Sequence, residues 1–214
     1  MQKLKILILS ILLLSGFQSF AKRMAVKSVT AHQFQTPVLA GKTTNPVIQL
    51  NIETSGKKNP VILQEITFRV MGSDIHNDID KTDIWYTGDK PFLRDGKVFG
   101  SPVDPMEITT IKGKQELKEG TNTFWISFKL KENTHLLNRV NAVCSSLKIS
   151  NQEYTPEIVS SAEGLKTGRA LRKHMDDGVH TYRIPGLATT NKGTLIAVYD
   201  IRRNSATDLQ EDID

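Results

Sequence analysis

One cysteine, Cys144, stands in a chain of 214 residues, so no intramolecular disulfide can form and a disulfide-stapled miniprotein is excluded. Charge of one sign is scarce in excess: 28 Lys and Arg face 23 Asp and Glu, a formal net of +5. So small and scattered a surplus argues against nucleic acid or an anionic membrane as partner. The one long apolar run, Ile6 to Leu14, falls well short of the ~20 residues of a membrane-spanning helix. Aromatics are only 7% of the chain, and residues 26–156 lack a sustained helical period, which excludes a coiled coil. The five histidines show no close metal-ligand spacing, and structural or surface roles are expected for each. An EF-hand beginning at Asp74 would need Gly and Glu where Ile79 and Trp85 stand, so Asp74 to Asp80 reads as a solvated loop.

What is present begins with an address. Lys3 and Lys5 precede the apolar run, Gly16 breaks it, and Ser19-Phe20-Ala21 offers small residues at a cleavage site. Residues 1–21 have the layout of a signal peptide, which predicts export to the periplasm or the exterior, with cleavage after Ala21.

Residues 22–154 read as strands. Ile48, Leu50 and Ile52 alternate with polar neighbours, and Phe124, Ile126, Phe128 and Leu130 alternate with Thr123, Trp125, Ser127 and Lys129. Further strands are expected over 61–71, 84–87, 93–99 and 140–149, with turn residues between them. The expectation is an all-β fold whose main body is an antiparallel β-sandwich. Cys144, on an apolar strand, is expected to be a buried small residue rather than a catalytic thiol. Residues 155–170 show no periodicity and read as a connector.

The segment 171–214 carries the chemistry. Tyr182-Arg183-Ile184-Pro185 opens a strand, Asn191-Lys192-Gly193 makes a turn, and Thr194 to Ile201 is a β-branched and apolar return strand. A hairpin of this kind brings Arg183 near Arg202 and the loop that holds Asp208. Guanidiniums clustered beside a carboxylate suit an anionic ligand with an acid/base group. They suit a surface ion-pair network equally well.

Tyr182-Arg183-Ile184-Pro185, with Leu187 after it, resembles the (F/Y)RIP motif of exo-sialidases (neuraminidases), six-bladed propeller glycosidases. The lead-in from Ala170 to His180 resembles that of secreted bacterial sialidases, and the sandwich resembles their accessory domain. The resemblance implies a sandwich followed by the first strands of a truncated six-bladed β-propeller. It implies release of terminal sialic acid from sialylated glycans without a cofactor. Arg183 would grip the sialic acid carboxylate, Arg202 would line the pocket, and Asp208 would be the general acid and base. The family's tyrosine nucleophile, its further arginines and its Asp-box repeats have no counterpart here. Only 44 residues follow Ala170, about one blade's worth. The expectation is therefore the N-terminal part of a sialidase, inactive by itself. The alternative is a secreted, non-enzymatic glycan-binding sandwich.

Overall fold

The computed structural model describes residues 22–90, 92–160 and 163–207. The expected signal segment 1–21 lies outside the described residues, as does Asp208. Strands dominate: β1 (Ala25–His32), β2 (Val38–Ala40), β3 (Asn45–Ser55), β4 (Ile62–Gly72), β5 (Ile79–Gly88), β6 (Lys97–Val98), β7 (Ile108–Glu116), β8 (Gly120–Leu130), β9 (Arg139–Ile149), β10 (Gln152–Tyr154), β11 (Glu157–Ser160), β12 (Leu165–Arg169), β13 (Thr181–Thr189) and β14 (Leu195–Arg202).

Two sheets form the sandwich. One runs β11-β1-β3-β8-β5-β6, and the other β2-β12-β9-β4-β7 with β10 beside β9. The period-2 pattern explains why they face each other. Leu50, Phe124, Ile126 and Phe128 of the first sheet share one core cluster with Ile66, Phe68 and Leu147 of the second, all essentially buried. Burying one such side chain stabilises the fold by about 1.5–3 kcal/mol.

The other face of β8 was expected to be polar and outward, yet Trp125 and Ser127 are buried as well. The chain between β1 and β3, together with the first residue of β3, covers them. Phe34 stacks on Trp125 at 6.1 Å between ring centroids, and the Asn45 amide donates to Ser127 Oγ at 3.1 Å. A central strand covered on both faces need not alternate cleanly.

Three local expectations are corrected. Residues 93–99 hold a 3₁₀ turn at Leu93–Asp95 and only two residues of strand, with Arg94 over the Phe92 ring. The stretch from Asp74 to Asp80 is no open loop. Asp74 caps a helical turn, Ile75–Asp78, by accepting the Asn77 amide, and β5 starts at Ile79. Asp78 is buried, where its Oδ2 accepts from Asn138 Nδ2 at 2.8 Å. Residues 155–170 carry two strands: β11 pairs parallel to β1, and β12 pairs with β9 and, in parallel, with β2. Sequence periodicity misses both, because each is short and takes a partner from the far end of the chain.

Cys144 meets its expectation. It is buried on β9, its Sγ lies 3.6 Å from the Thr67 carbonyl, and burial pushes its pKa up to about 12. Among the described residues, no helix is long and apolar enough to cross a membrane.

Candidate functional site

After β12 the Ala170 amide bonds to the Ala40 carbonyl at 2.9 Å, and the chain leaves the sandwich. A 3₁₀ turn at Asp176–Gly178 then leads into the hairpin of β13 and β14. The expected turn residues close it. Gly193 has φ +80°, which favours glycine, and its amide reaches the Thr190 carbonyl at 2.9 Å.

Register decides which side chains share a face. Thr181 lies opposite Arg202, and Arg183 opposite Asp200. All four therefore stand on one face. The register slips between Arg183 and Gly186, a β-bulge, and Ile184 within it has φ 51°. That conformation is costly for a β-branched residue, and bulges often re-aim a side chain next to a functional site.

Arg183 and Arg202 do come together, though not by direct pairing across the hairpin. Arg183 Nη1 donates to the Ala206 carbonyl at 2.8 Å, and Arg202 Nη1 to the Thr207 carbonyl at 2.7 Å. Both guanidiniums thus hold the backbone that runs directly into Asp208. Arg202 is 5% exposed, and its Nη2 lies 3.4 Å from Asp200 Oδ2. Asp200 is accordingly a structural partner of Arg202, and Arg183 is the more accessible arginine.

The opposite face of the hairpin holds residues that the sequence reading passed over. The Tyr182 and Tyr199 rings meet edge to face at 5.3 Å. Arg172 donates from Nε to the Tyr199 hydroxyl at 2.8 Å and pairs with Asp177 at 3.1 Å. The Tyr182 hydroxyl donates to the Asp176 carbonyl at 2.7 Å. Partial burial raises the Tyr182 pKa, and the Asp177 carboxylate adds to the rise. The spacing of Tyr182 from Arg183, one residue off its face, was the available signal.

The hairpin borders an open cleft of about 980 Å³ between itself and the sandwich, lined by Tyr182 and Tyr199 and also by Arg183. Lys42, Arg94, Arg169, Arg172, Lys173 and Arg183 line it, with Asp176 the one carboxylate among the described lining residues. Arg169 is held by Glu132 at 3.4 Å. A smaller cleft of about 440 Å³ continues along the outer face of the first sheet. It shares Lys42, Thr44 and Arg94 with the larger one and adds Pro46, Trp85 and Phe92. Among the described residues no cluster of three or more His, Cys, Asp or Glu side chains is placed to hold a metal ion.

The comparisons with known proteins agree with this architecture. Residues 26–153 match the family described as the N-terminal domain of BNR-repeat neuraminidase. A curated sialidase of Bacteroides fragilis (strain YCH46) is 28% identical over 221 aligned positions, covering 89% of this chain and 39% of the relative. The solved structure of the Hadza microbial sialidase Hz136 superposes with a TM-score of 0.70 at 23% identity, over 86% of this chain and 40% of that one. The chain thus spans about two-fifths of the length of each.

Proposed function

Because the chain belongs to the BNR-repeat neuraminidases through their N-terminal domain, we propose that it is the N-terminal region of an exported exo-α-sialidase. The substrate would be a sialylated glycan, and export would follow from the basic-apolar-small layout of residues 1–21. One observation carries the site assignment: two arginines of a YRIP hairpin grip consecutive carbonyls, Ala206 and Thr207, immediately before Asp208.

Each residue then has a role. The Arg183 guanidinium would contact the sialic acid carboxylate, a charge-assisted and geometrically specific contact. Arg202 is too buried to serve as a broad substrate contact. It holds the backbone at Thr207, the residue that precedes Asp208 in the sequence. The Asp208 carboxyl gives its proton to the glycosidic oxygen as the bond to the aglycone breaks. The carboxylate left behind then accepts a proton from the attacking water. In a protein of the relatives' full length, a tyrosine polarised by a glutamate would supply the nucleophile, and two further arginines would complete the carboxylate grip.

The test is turnover by the full-length protein. Asp208→Ala should lower kcat by at least tenfold, most for glycans whose leaving group needs protonation. Arg183→Ala should raise KM for sialosides. Full activity in both variants would sink the assignment. Glycan binding without any turnover would favour the non-enzymatic module.

A further inference from the structure

We propose that the sandwich supplies a subsite for the part of the glycan beyond the cleaved sugar, and that this subsite selects glycans carrying a negative charge there. The proposal takes its occupant's sugar chemistry from the function proposed above, but its geometry stands independently. The smaller cleft lies on the sandwich alone, while Lys42, Thr44 and Arg94 also line the cleft that Arg183 reaches. A ligand held by Arg183 therefore has a continuous path onto the sandwich.

The floor of that path is suited to a sugar. Phe92 is 55% exposed, and the half-buried Trp85 lines the cleft beside it. Flat aromatic faces with a few polar groups beside them are how proteins hold amphipathic ligands in shallow sites. A 3₁₀ turn fixes Arg94, whose guanidinium carbon sits 5.0 Å from the Phe92 ring centroid. That stacking orients the planar fork while leaving its N–H groups for a ligand.

The walls choose the charge. Arg169 and Arg172 lean on carboxylates, at 3.4 Å and 3.1 Å. Lys42, Arg94 and Lys173 form no ion pair with a described residue. Among the described lining residues these three cations, with Asp176 the one carboxylate, leave a positive field that favours an anionic ligand. A carboxylate on a second acidic sugar and a sulfate ester present the same chemistry to Lys42 and Arg94.

Calorimetric titration of the chain with three oligosaccharides tests this: lactose, sulfated lactose and disialyllactose. Both anionic sugars should bind, with lactose at least tenfold weaker, and affinity should fall as salt rises. Arg94→Ala and Lys42→Ala should each weaken the anionic sugars by fivefold or more. Arg69→Ala, whose side chain pairs with Glu107 just before β7, should change nothing. Preference for sulfate over carboxylate, or the reverse, identifies the source of the charge. Equal binding of lactose, indifference to Arg94→Ala and Lys42→Ala, or no binding at all would overturn the subsite. Binding to the full-length protein without sialic acid release would overturn the sialidase reading and leave the subsite standing.

Discussion

Leu165→Ala distinguishes a connector from a structural strand. Leu165 stands in the stretch that sequence periodicity leaves empty, yet it is only 2% exposed. It opens β12, opposite Val140 of β9, and belongs to the core cluster. On a solvated connector the substitution would change stability by no more than about 0.5 kcal/mol. In a packed site, Leu→Ala costs about 2–5 kcal/mol, from lost transfer energy plus the cavity left behind. The neighbours of Leu165 have little freedom to collapse into that space. Thr167, next but one along the strand, is buried and bonds through Oγ1 to the carbonyls of His135 at 2.9 Å and Asn138 at 3.1 Å. A loss of about 3 kcal/mol, with a urea m-value of about 2 kcal/mol/M, moves the midpoint by roughly 1.5 M. Trp85 and Trp125, both on the sandwich, report the transition by fluorescence. Val159→Ala in β11 is the control, because Val159 is 61% exposed and should move the midpoint hardly at all. A Leu165→Ala midpoint within about 0.3 M of the parent, at unchanged m, would refute the placement of β12 in the core.

Cys144 should resist a thiol reagent in the folded state. At pH 8 a pKa of about 12 in place of 9.0 lowers the thiolate fraction about a thousandfold, before any steric shielding, and fast labelling would contradict the burial. Asp83→Asn should raise the melting temperature at pH 7. Burial raises the folded pKa of Asp83, with Ser127 and the Trp85 indole offsetting part of the rise. The folded state thus binds the proton more tightly, so the favourable contribution is full below the unfolded value of 3.8 and is lost as pH rises through the folded value. The advantage of Asn should therefore shrink on acidification, and a gain independent of pH would refute the cause. Arg202→Lys keeps the charge but cannot reach both Thr207 and Asp200 with a planar fork. It should cost about 1–2 kcal/mol and expose residues 203–207 to protease, while unchanged cleavage would show that the loop does not depend on it.

The long strands were legible because the chain repeats one physical constraint many times. Phe124, Ile126, Phe128 and Leu130 each meet the same core, and a one-residue slip would turn them all outward. The short strands have no such redundancy. β11 reads Glu157-Ile158-Val159-Ser160 with Ile158 and Val159 both exposed, so no buried face marks it. Its place is fixed by a distant partner: Ser160 Oγ takes the Gln33 amide at 3.0 Å and lies 2.8 Å from His32 Nδ1. Burial of Trp125 and Ser127 was hidden for a related reason, since the residues that cover them lie about eighty to ninety positions earlier in the chain.

The candidate site shows the same division within a single hairpin. The turn at Asn191-Lys192-Gly193 is chemistry local to three residues, so it was legible. The bulge was not. Strict alternation from Arg183 would put Leu187 on the arginine's own face. With one extra residue between Arg183 and Gly186, Leu187 instead pairs with Ala197 and joins the Tyr182 side. The arginine face then carries Arg183, Asp200 and Arg202 at one end and Val198 and Ile196 further along β14, and the two arginines hold the backbone at Ala206 and Thr207. A sequence pattern can name the residues of such a site. Their arrangement depends on an irregularity with a local energy cost at Ile184, and only the surrounding pairing of β13 with β14 can hold it in place.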